Sequence, residues 1–371
     1  MKIAILAPLV TAIREPQLGG SQAFVSDLAR GLAGRGHDVD VYAASGSQIP
    51  GVTVIDTGVD PVALAGTLYR AESPDPAGSA SASRAAEAAF GAAYAIMRQR
   101  RYDVIHNHAF DAPAVRLAAG LPVPVVHTLH LPPDKAVATA LRQAARSEKP
   151  PVVATVSAFQ ANAWRETMAV DAILRPCVPT DRIPWSRRPG HGAVFAGRLS
   201  PEKGAAEAID IACAAGLPID VYGHAYDADY AREQVGARAD RPGVAIHQAV
   251  PRETLWEAMA RAAVVLFPAR WDEPFGMVAA EAHACGTPVV AFRRGGLGEV
   301  IADGITGFLM PPDDVSACVG AVTKTAGISR AVCRRHAECH LDLRQSLDAH
   351  EKLYRKTVIS HVRRARAAAG G

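Results

Sequence analysis

The stretch RWDEPFGMVAAEAHACGTP, residues 270–288, follows an apolar strand pattern at Val264–Phe267 and precedes another at Pro288–Phe292. Between them, Val278–Cys285 reads as a helix of small residues, which makes the segment one strand–helix–strand unit of a parallel sheet. Its polar residues pose the question. Pro274 suits the first turn of a helix, where a missing N–H costs nothing, and that places Glu273 near the N-cap. The amides of Phe275, Gly276 and Met277 become the unpaired donors of a helix start, a place that attracts anions. Gly276 has no Cβ, so a ligand could come close to the backbone. Glu281 falls two turns further on, among Val278, Ala279, Ala280, Ala282 and Ala284. A carboxylate in that company needs a partner, either a nearby arginine or a ligand.

The rest of the chain repeats the same unit. With 371 residues, two domains are expected. In the first half, strands are read at Lys2–Ala7, Asp38–Ala43, Val52–Ile55, Asp103–His106, Pro124–Thr128 and Val152–Val156. Helices are read at Gln22–Arg35 and Ala85–Arg100, and residues 72–83, ESPDPAGSASAS, read as a mobile loop. A proline- and arginine-rich break, RPCVPTDRIPWSRRPGHG (175–192), then interrupts the pattern. Strands resume at Ala193–Ala196, Ile219–Tyr222, Val244–His247, Val264–Phe267, Pro288–Phe292 and Thr306–Met310, with helices at Ala205–Ala215 and Arg252–Arg261. Residues 314–326 and 329–357 also read as helical. The fold class is therefore α/β, with two Rossmann-like doubly wound domains facing a central cleft. The first domain is placed at 1–175, the linker at 176–192 and the second domain at 193–345. A terminal helix, 346–371, is expected to pack back on the first domain and to fray into a flexible basic end. Ligands of open α/β sheets sit beyond the carboxyl ends of the strands, so those ends carry the candidates.

Composition narrows the functional classes. The chain is 49% apolar and 21% charged with a net charge of +3, which argues for no nucleic-acid partner. The clearest basic cluster is KLYRKTVISHVRRARAAAGG (352–371), consistent with at most weak contact with an anionic membrane surface. Six scattered cysteines suit a reducing cytosol. MKIAILAP lacks the apolar core of a signal peptide, and no apolar run approaches the ~20 residues of a membrane span. A cytoplasmic location is expected.

At the strand ends of the first half lie LGGS (18–21), with Gly19 and Gly20 before a helix, and the histidine pairs HNH (106–108) and HTLH (127–130). The glycines are no G-x-G-x-x-G, so a dinucleotide site is not indicated. The histidines read as ligand contacts or hydrogen-bonded core residues rather than a metal site. CRRHAECH (333–340) holds four metal-ligating side chains, but one rigid helix cannot wrap them around a metal. In the second half, FAGRLSPEKG (195–204) brings Arg198 and Lys203 to one loop, a pair suited to one anionic group. RRGGLGEVIADGITGFLMPPDD (293–314) adds Gly295-Gly296, where backbone can approach a ligand. A helix start, an Arg–Lys pair and glycine turns suit a nucleotide diphosphate.

FAGRLSPEKG, then E-P-F-G-x4-E, then GG-L-x-E-V-I-x-D-G-x-T-G-F, in that order over 195–314, resembles the family-4 retaining glycosyltransferases of GT-B fold. LGGS, DVIHNH, VVHTLH and ATVSAF have counterparts in the first half. The resemblance implies that Arg198 and Lys203 hold a donor diphosphate and that Glu281 binds the ribose. Glu273 would face the donor sugar, the amides of Phe275, Gly276 and Met277 would meet sugar and phosphate, and Gly20 would approach the diphosphate. His130 would contact the sugar near the reacting carbon. It implies retention, no cofactor and no metal, a nucleotide-sugar donor, and a small-molecule or glycan acceptor. Pro176-Cys177, Gln248 and Leu131 depart from the pattern, and Gln248 leaves the base open. Alternatives are a nucleotide-sugar 2-epimerase of the same fold and a non-catalytic nucleotide-sugar-binding protein. The alanine- and arginine-rich composition is that of a high-GC bacterial coding sequence.

Overall fold

The structure, a computed structural model, describes residues 1–61, 64, 76–188 and 190–369, with the backbone alone for 76–82 and 365–369. The chain divides into two compact units: Met1–Arg14, Ser21–Arg175 and Ser346–Gly371 form one, and Glu15–Gly20 and Pro176–Gln345 the other.

The first unit runs β1 (Lys2–Leu6), α1 (Gly20–Gly34), β2 (Asp38–Ala43), β3 (Thr53–Asp56), α2 (Pro76–Arg98), β4 (Val104–Asn107), α3 (Ala112–Ala118), β5 (Val125–Leu129), α4 (Lys135–Ala144), β6 (Val152–Thr155), α5 (Ala158–Arg165) and β7 (Ala172–Ile173). The second continues with β8 (Ala193–Ala196), α6 (Ala205–Ala214), β9 (Ile219–Tyr222), α7 (Ala228–Tyr230), β10 (Val244–His247), α8 (Arg252–Arg261), β11 (Val264–Phe267), α9 (Met277–Ala284), β12 (Val289–Phe292), α10 (Leu297–Val300), β13 (Gly307–Met310), α11 (Val315–Lys324) and α12 (Arg330–His340). Helix α13 (Leu343–Ala369) ends the chain. All strand pairs are parallel, in the orders β3-β2-β1-β4-β5-β6-β7 and β10-β9-β8-β11-β12-β13. Each order reverses beside the unit's first strand, at β1/β4 and at β8/β11. Those reversals mark where an open sheet makes room for a ligand.

Each sheet is apolar because helices cover it. In the second unit Phe195, Val221, Leu266 and Phe292 of the sheet pack with Ile209 and Ile211 of α6 and Val322 of α11. In the first, Leu6 and Ile105 meet Phe90, Tyr94 and Met97 of α2. Helix α13 packs on the first unit. Gly31 of α1 is a glycine because a Cβ there would lie 2.7 Å from Leu347 Cδ1. His106 Nδ1 meets the Tyr354 hydroxyl at 2.6 Å, and Glu351 meets His37 at 3.1 Å.

Two local readings are corrected. Of 72–83, residues 72–75 lie outside the described ones, while 76–83 are the first turns of α2 and not a loop. Pro76 starts that helix, where proline is tolerated, and the alanine-rich run carries it onward. The basic stretch expected to fray is helical through Ala369, and Gly370 and Gly371 lie outside the described residues.

The segment between the two sheets is built into the second unit. Val178 exchanges backbone bonds with Leu341 and Leu343, 2.8 Å each. Arg334 donates to the carbonyls of Thr180 (2.7 Å) and Ile183 (3.0 Å), and Arg330 to that of Ser186 (2.8 Å).

Candidate active site

At the reversal in the second unit, the loop after β8 is 197–204 and the loop after β11 is 268–276, since β8 and β11 are neighbours. They fold against each other at Gly204, where φ is 75° and a Cβ would lie 2.1 Å from the Pro268 carbonyl oxygen. The turn after β12 closes on the same loop. Gly296 N–H donates to the Glu273 carbonyl at 2.7 Å, and a Cβ on Gly295 would lie 2.2 Å from that oxygen. Three strand-end loops thus hold one polar cluster. The glycines let these loops pack closely against one another.

Within the cluster, Lys203 Nζ donates to Glu273 Oε2 at 2.7 Å. The indole N–H of Trp271 donates to the same oxygen, and Nζ stands 4.6 Å from the Trp271 ring centre. Among the described residues Oε1 of Glu273 takes no hydrogen bond. Arg198 pairs with Glu202 at 3.1 Å and lies 4.4 Å from the Tyr226 ring centre. Its Nε, like Ser200 Oγ, is buried with no partner among the described residues. So each cation of the Arg–Lys pair is matched to a carboxylate here, while unused polar atoms remain at the loop.

Helix α9 begins at Met277 with Gly276 as N-cap at φ 104°. This corrects the expected start: Pro274 and Glu273 precede the cap because a left-handed residue intervenes. A Cβ on Gly276 would lie 2.5 Å from Leu297 Cδ2, so its glycine meets a backbone and packing demand. The amides of Phe275, Gly276 and Met277 donate to no acceptor among the described residues. Glu281 is 5% exposed and has the arginine partner that its surroundings demanded. Arg252 Nε and Nη2 both donate to Glu281 Oε1, at 3.0 and 2.8 Å. Arg252 also lies 4.8 Å from the Trp256 ring centre, and its backbone N–H donates to Glu15 at 3.0 Å. Oε2 of Glu281 has no partner among the described residues.

Gly19 is a half-buried bend and Gly20 opens α1 exposed, its would-be Cβ 3.2 Å from Met277 Cγ. His130 stands in the first unit, just past β5. Its Nε2 is 2.9 Å from His108 Nδ1, and His108 Nε2 is buried with no partner among the described residues. Burial, with His350 adding repulsion, lowers His130 to about 3, so it is a neutral imidazole. His106 and His108 are pushed well down by burial and their histidine neighbours. Among the described residues no three His, Cys, Asp or Glu side chains are arranged to hold a metal. CRRHAECH lies within helix α12, with His336 bonded to the Val300 carbonyl at 2.9 Å.

Sequence reasoning missed Trp271, Arg252 and Tyr226. Trp271 stood inside the quoted stretch, and its signal was an aromatic two residues from a carboxylate. Arg252 and Tyr226 reach the cluster from other elements and left no local signal.

Two parallel α/β units, each with a strand order that reverses beside its first strand, make up the architecture of the GT-B fold. A family model described as "Glycosyl transferases group 1" matches residues 191–326, and one described as "Glycosyltransferase Family 4" matches 18–182. The D-inositol 3-phosphate glycosyltransferase of Acidothermus cellulolyticus is 30% identical over 385 residues, covering 86% of this chain and 82% of its own. Glycogen synthase of Mycobacterium tuberculosis is 29% identical over 268 residues, covering 64% of this chain and 63% of its own. Among solved structures, sucrose-phosphate synthase from Thermosynechococcus elongatus superposes with a TM-score of 0.76 at 20% identity, covering 97% of this chain and 100% of that one. Anabaena HepE in complex with UDP-glucose gives 0.70 at 20% identity, with the same coverage of both chains. The chain belongs to the family-4 glycosyltransferases.

Proposed function

We propose that the protein is a retaining, metal-independent glycosyltransferase that moves a sugar from a nucleotide-diphosphate sugar to a small-molecule or glycan acceptor. The observation that carries the reading is a paired one. Among the described residues, Glu273 and Glu281 are each held through one carboxylate oxygen and leave the other open, on either side of three amides without an acceptor. Open carboxylate oxygens accept from hydroxyls, and unpaired amides at a helix start accept an anion. The proposed roles follow. Glu281 takes the ribose hydroxyls and Glu273 the sugar hydroxyls. Arg198 and Lys203, with the amides of Phe275, Gly276 and Met277, take the diphosphate. Gly19 and Gly20 border the diphosphate, and neutral His130 accepts from or donates to the sugar near the anomeric carbon.

The bond from the anomeric carbon to the diphosphate oxygen breaks as the bond to the acceptor oxygen forms on the same face. The acceptor proton passes to the departing diphosphate, whose charge Arg198 and Lys203 stabilise. Both glutamates are assigned to binding, so neither is the nucleophile of a double displacement. A nucleotide-sugar 2-epimerase would need acids and bases around the sugar C2, and none is assigned. A purely binding role is disfavoured by transferase relatives across both units. The wider match to inositol-phosphate enzymes makes a phosphorylated polyol the first acceptor to try. No helix among the described residues is long and apolar enough to cross a membrane. We place the enzyme in the cytoplasm, with at most weak surface contact through the basic end of α13.

A thermal-shift screen with UDP, GDP, ADP and TDP, and their sugar conjugates, tests the reading. One nucleotide at a hundred times its Kd stabilises by about 2.7 kcal/mol, a shift of a few degrees. The shift is expected to vanish in Glu281→Ala. No shift with any nucleotide refutes the donor site.

A further inference from the structure

We infer that Trp271 is a positioning residue for Glu273: its indole N–H fixes which carboxylate oxygen faces the donor sugar while Lys203 is engaged with phosphate. The inference rests on the donor reading above and adds to it a residue with a separate role.

Three contacts carry it. The Trp271 N–H and the Lys203 ammonium, the latter at 2.7 Å, meet on one oxygen, Glu273 Oε2. The same ammonium lies 4.6 Å from the centre of the indole ring. The side chains of Lys203 and Glu273 are 14% and 12% exposed, so the group is shielded but reachable. A carboxylate held only by a lysine is poorly oriented, because an ammonium on a flexible stem is a point charge without direction. An indole N–H on a rigid ring is directional. Lys203 is asked to serve two anions, Glu273 and the donor diphosphate. When the ammonium turns toward phosphate, the Trp271 bond remains, and Oε1 stays aimed outward. The ring face also stabilises the cation in either position.

A positioning role for the sugar-facing carboxylate makes a specific demand. Loss of the N–H weakens recognition of the sugar, not of the nucleotide. The experiment is calorimetric titration with UDP, GDP and ADP and with their glucose conjugates, using the pair that the unsubstituted protein binds. In Trp271→Phe, which keeps the ring face and loses the donor, nucleotide affinity is expected within about twofold of normal. The extra affinity contributed by the sugar is expected to fall about tenfold, the size of one hydrogen bond to a charged group. Trp271→His, which restores a ring N–H, recovers part of it and serves if the phenylalanine protein folds poorly. In a Glu273→Gln background the Trp271→Phe loss shrinks toward nothing, because the indole acts through Glu273.

Equal weakening of nucleotide and nucleotide sugar overturns the inference, as does a loss that persists undiminished beside Glu273→Gln. A Trp271→Phe protein with an intact sugar increment, where Glu273→Gln has lost it, overturns the inference alone. If Glu273→Gln keeps the full increment, or no nucleotide binds, the donor reading itself is wrong and this role goes with it.

Discussion

Glu281 shows how much one residue can state about its surroundings. A carboxylate on a helix of alanines demanded a partner, and the structure supplies Arg252 from α8, whose Nε and Nη2 both donate to one oxygen. The need was legible in the sequence. The identity of the partner was not, because it depends on how α8 packs beside α9. The pair also makes a measurable demand on stability. Its side chains are 9% and 6% exposed, so removing one charge strands the other. Arg252→Ala is expected to destabilise the protein by about 3–5 kcal/mol, read as a lower urea midpoint. Arg252→Ala combined with Glu281→Ala should recover part of that loss, since no buried charge then lacks its partner. Additive losses would show that packing against Trp256, not charge, is what Arg252 provides.

Strands were read closely at the level of elements, and several helices were not. β8 and β11 fall where their apolar runs place them, because strands buried on both faces write themselves as uninterrupted apolar residues, and the half-buried β9 and the edge strand β10 fall where they were read as well. α3, α4 and α5 went unread; α3 and α5 are only about two turns long, whereas α4, with Asp134 as its N-cap and a buried face of Val137, Ala138, Leu141 and Ala144, carried a signal that was missed. Serine, proline and glycine at 72–83 suggested a loop where α2 begins, since tertiary packing of the alanine run overrides weak local preference. The glycine turns were legible as places of close backbone approach, and the structure shows such an approach within the chain itself. Gly295→Ala therefore meets a φ of 58° and a carbonyl oxygen 2.2 Å from the new Cβ. The substitution is expected to cost at least about 1–3 kcal/mol and to weaken donor binding by shifting Glu273, measurable by melting and titration. Normal values for both would mean that the three loops are less interlocked than their contacts imply.

For the molecule as a whole, the doubly wound plan was legible from alternating strands and helices, and the order reversal followed from it. What could not be read was the company of the histidines, which come from strands and helices far apart in the chain. Burial lowers His127, His130 and His283 to about 3 and His350 to about 4. An unfolded histidine titrates near about 6.5, so below that pH the unfolded chain binds protons that the folded one refuses. Stability is therefore complete above about pH 6.5 and falls as the pH drops toward the folded values. The loss is about 1.4 kcal/mol per histidine per pH unit. Urea midpoints measured from pH 7 to pH 5 should fall steadily, and a flat profile would mean that these histidines are protonated in place. The last helix carries a different consequence. Tyr354 and His350 are wholly buried in the first unit, which closes only when Ser346–Gly371 has joined it. On the ribosome the first unit is thus begun early and completed late: its sheet is whole by Ile173, but the place of α13 is filled only after residues 176–345 have been made.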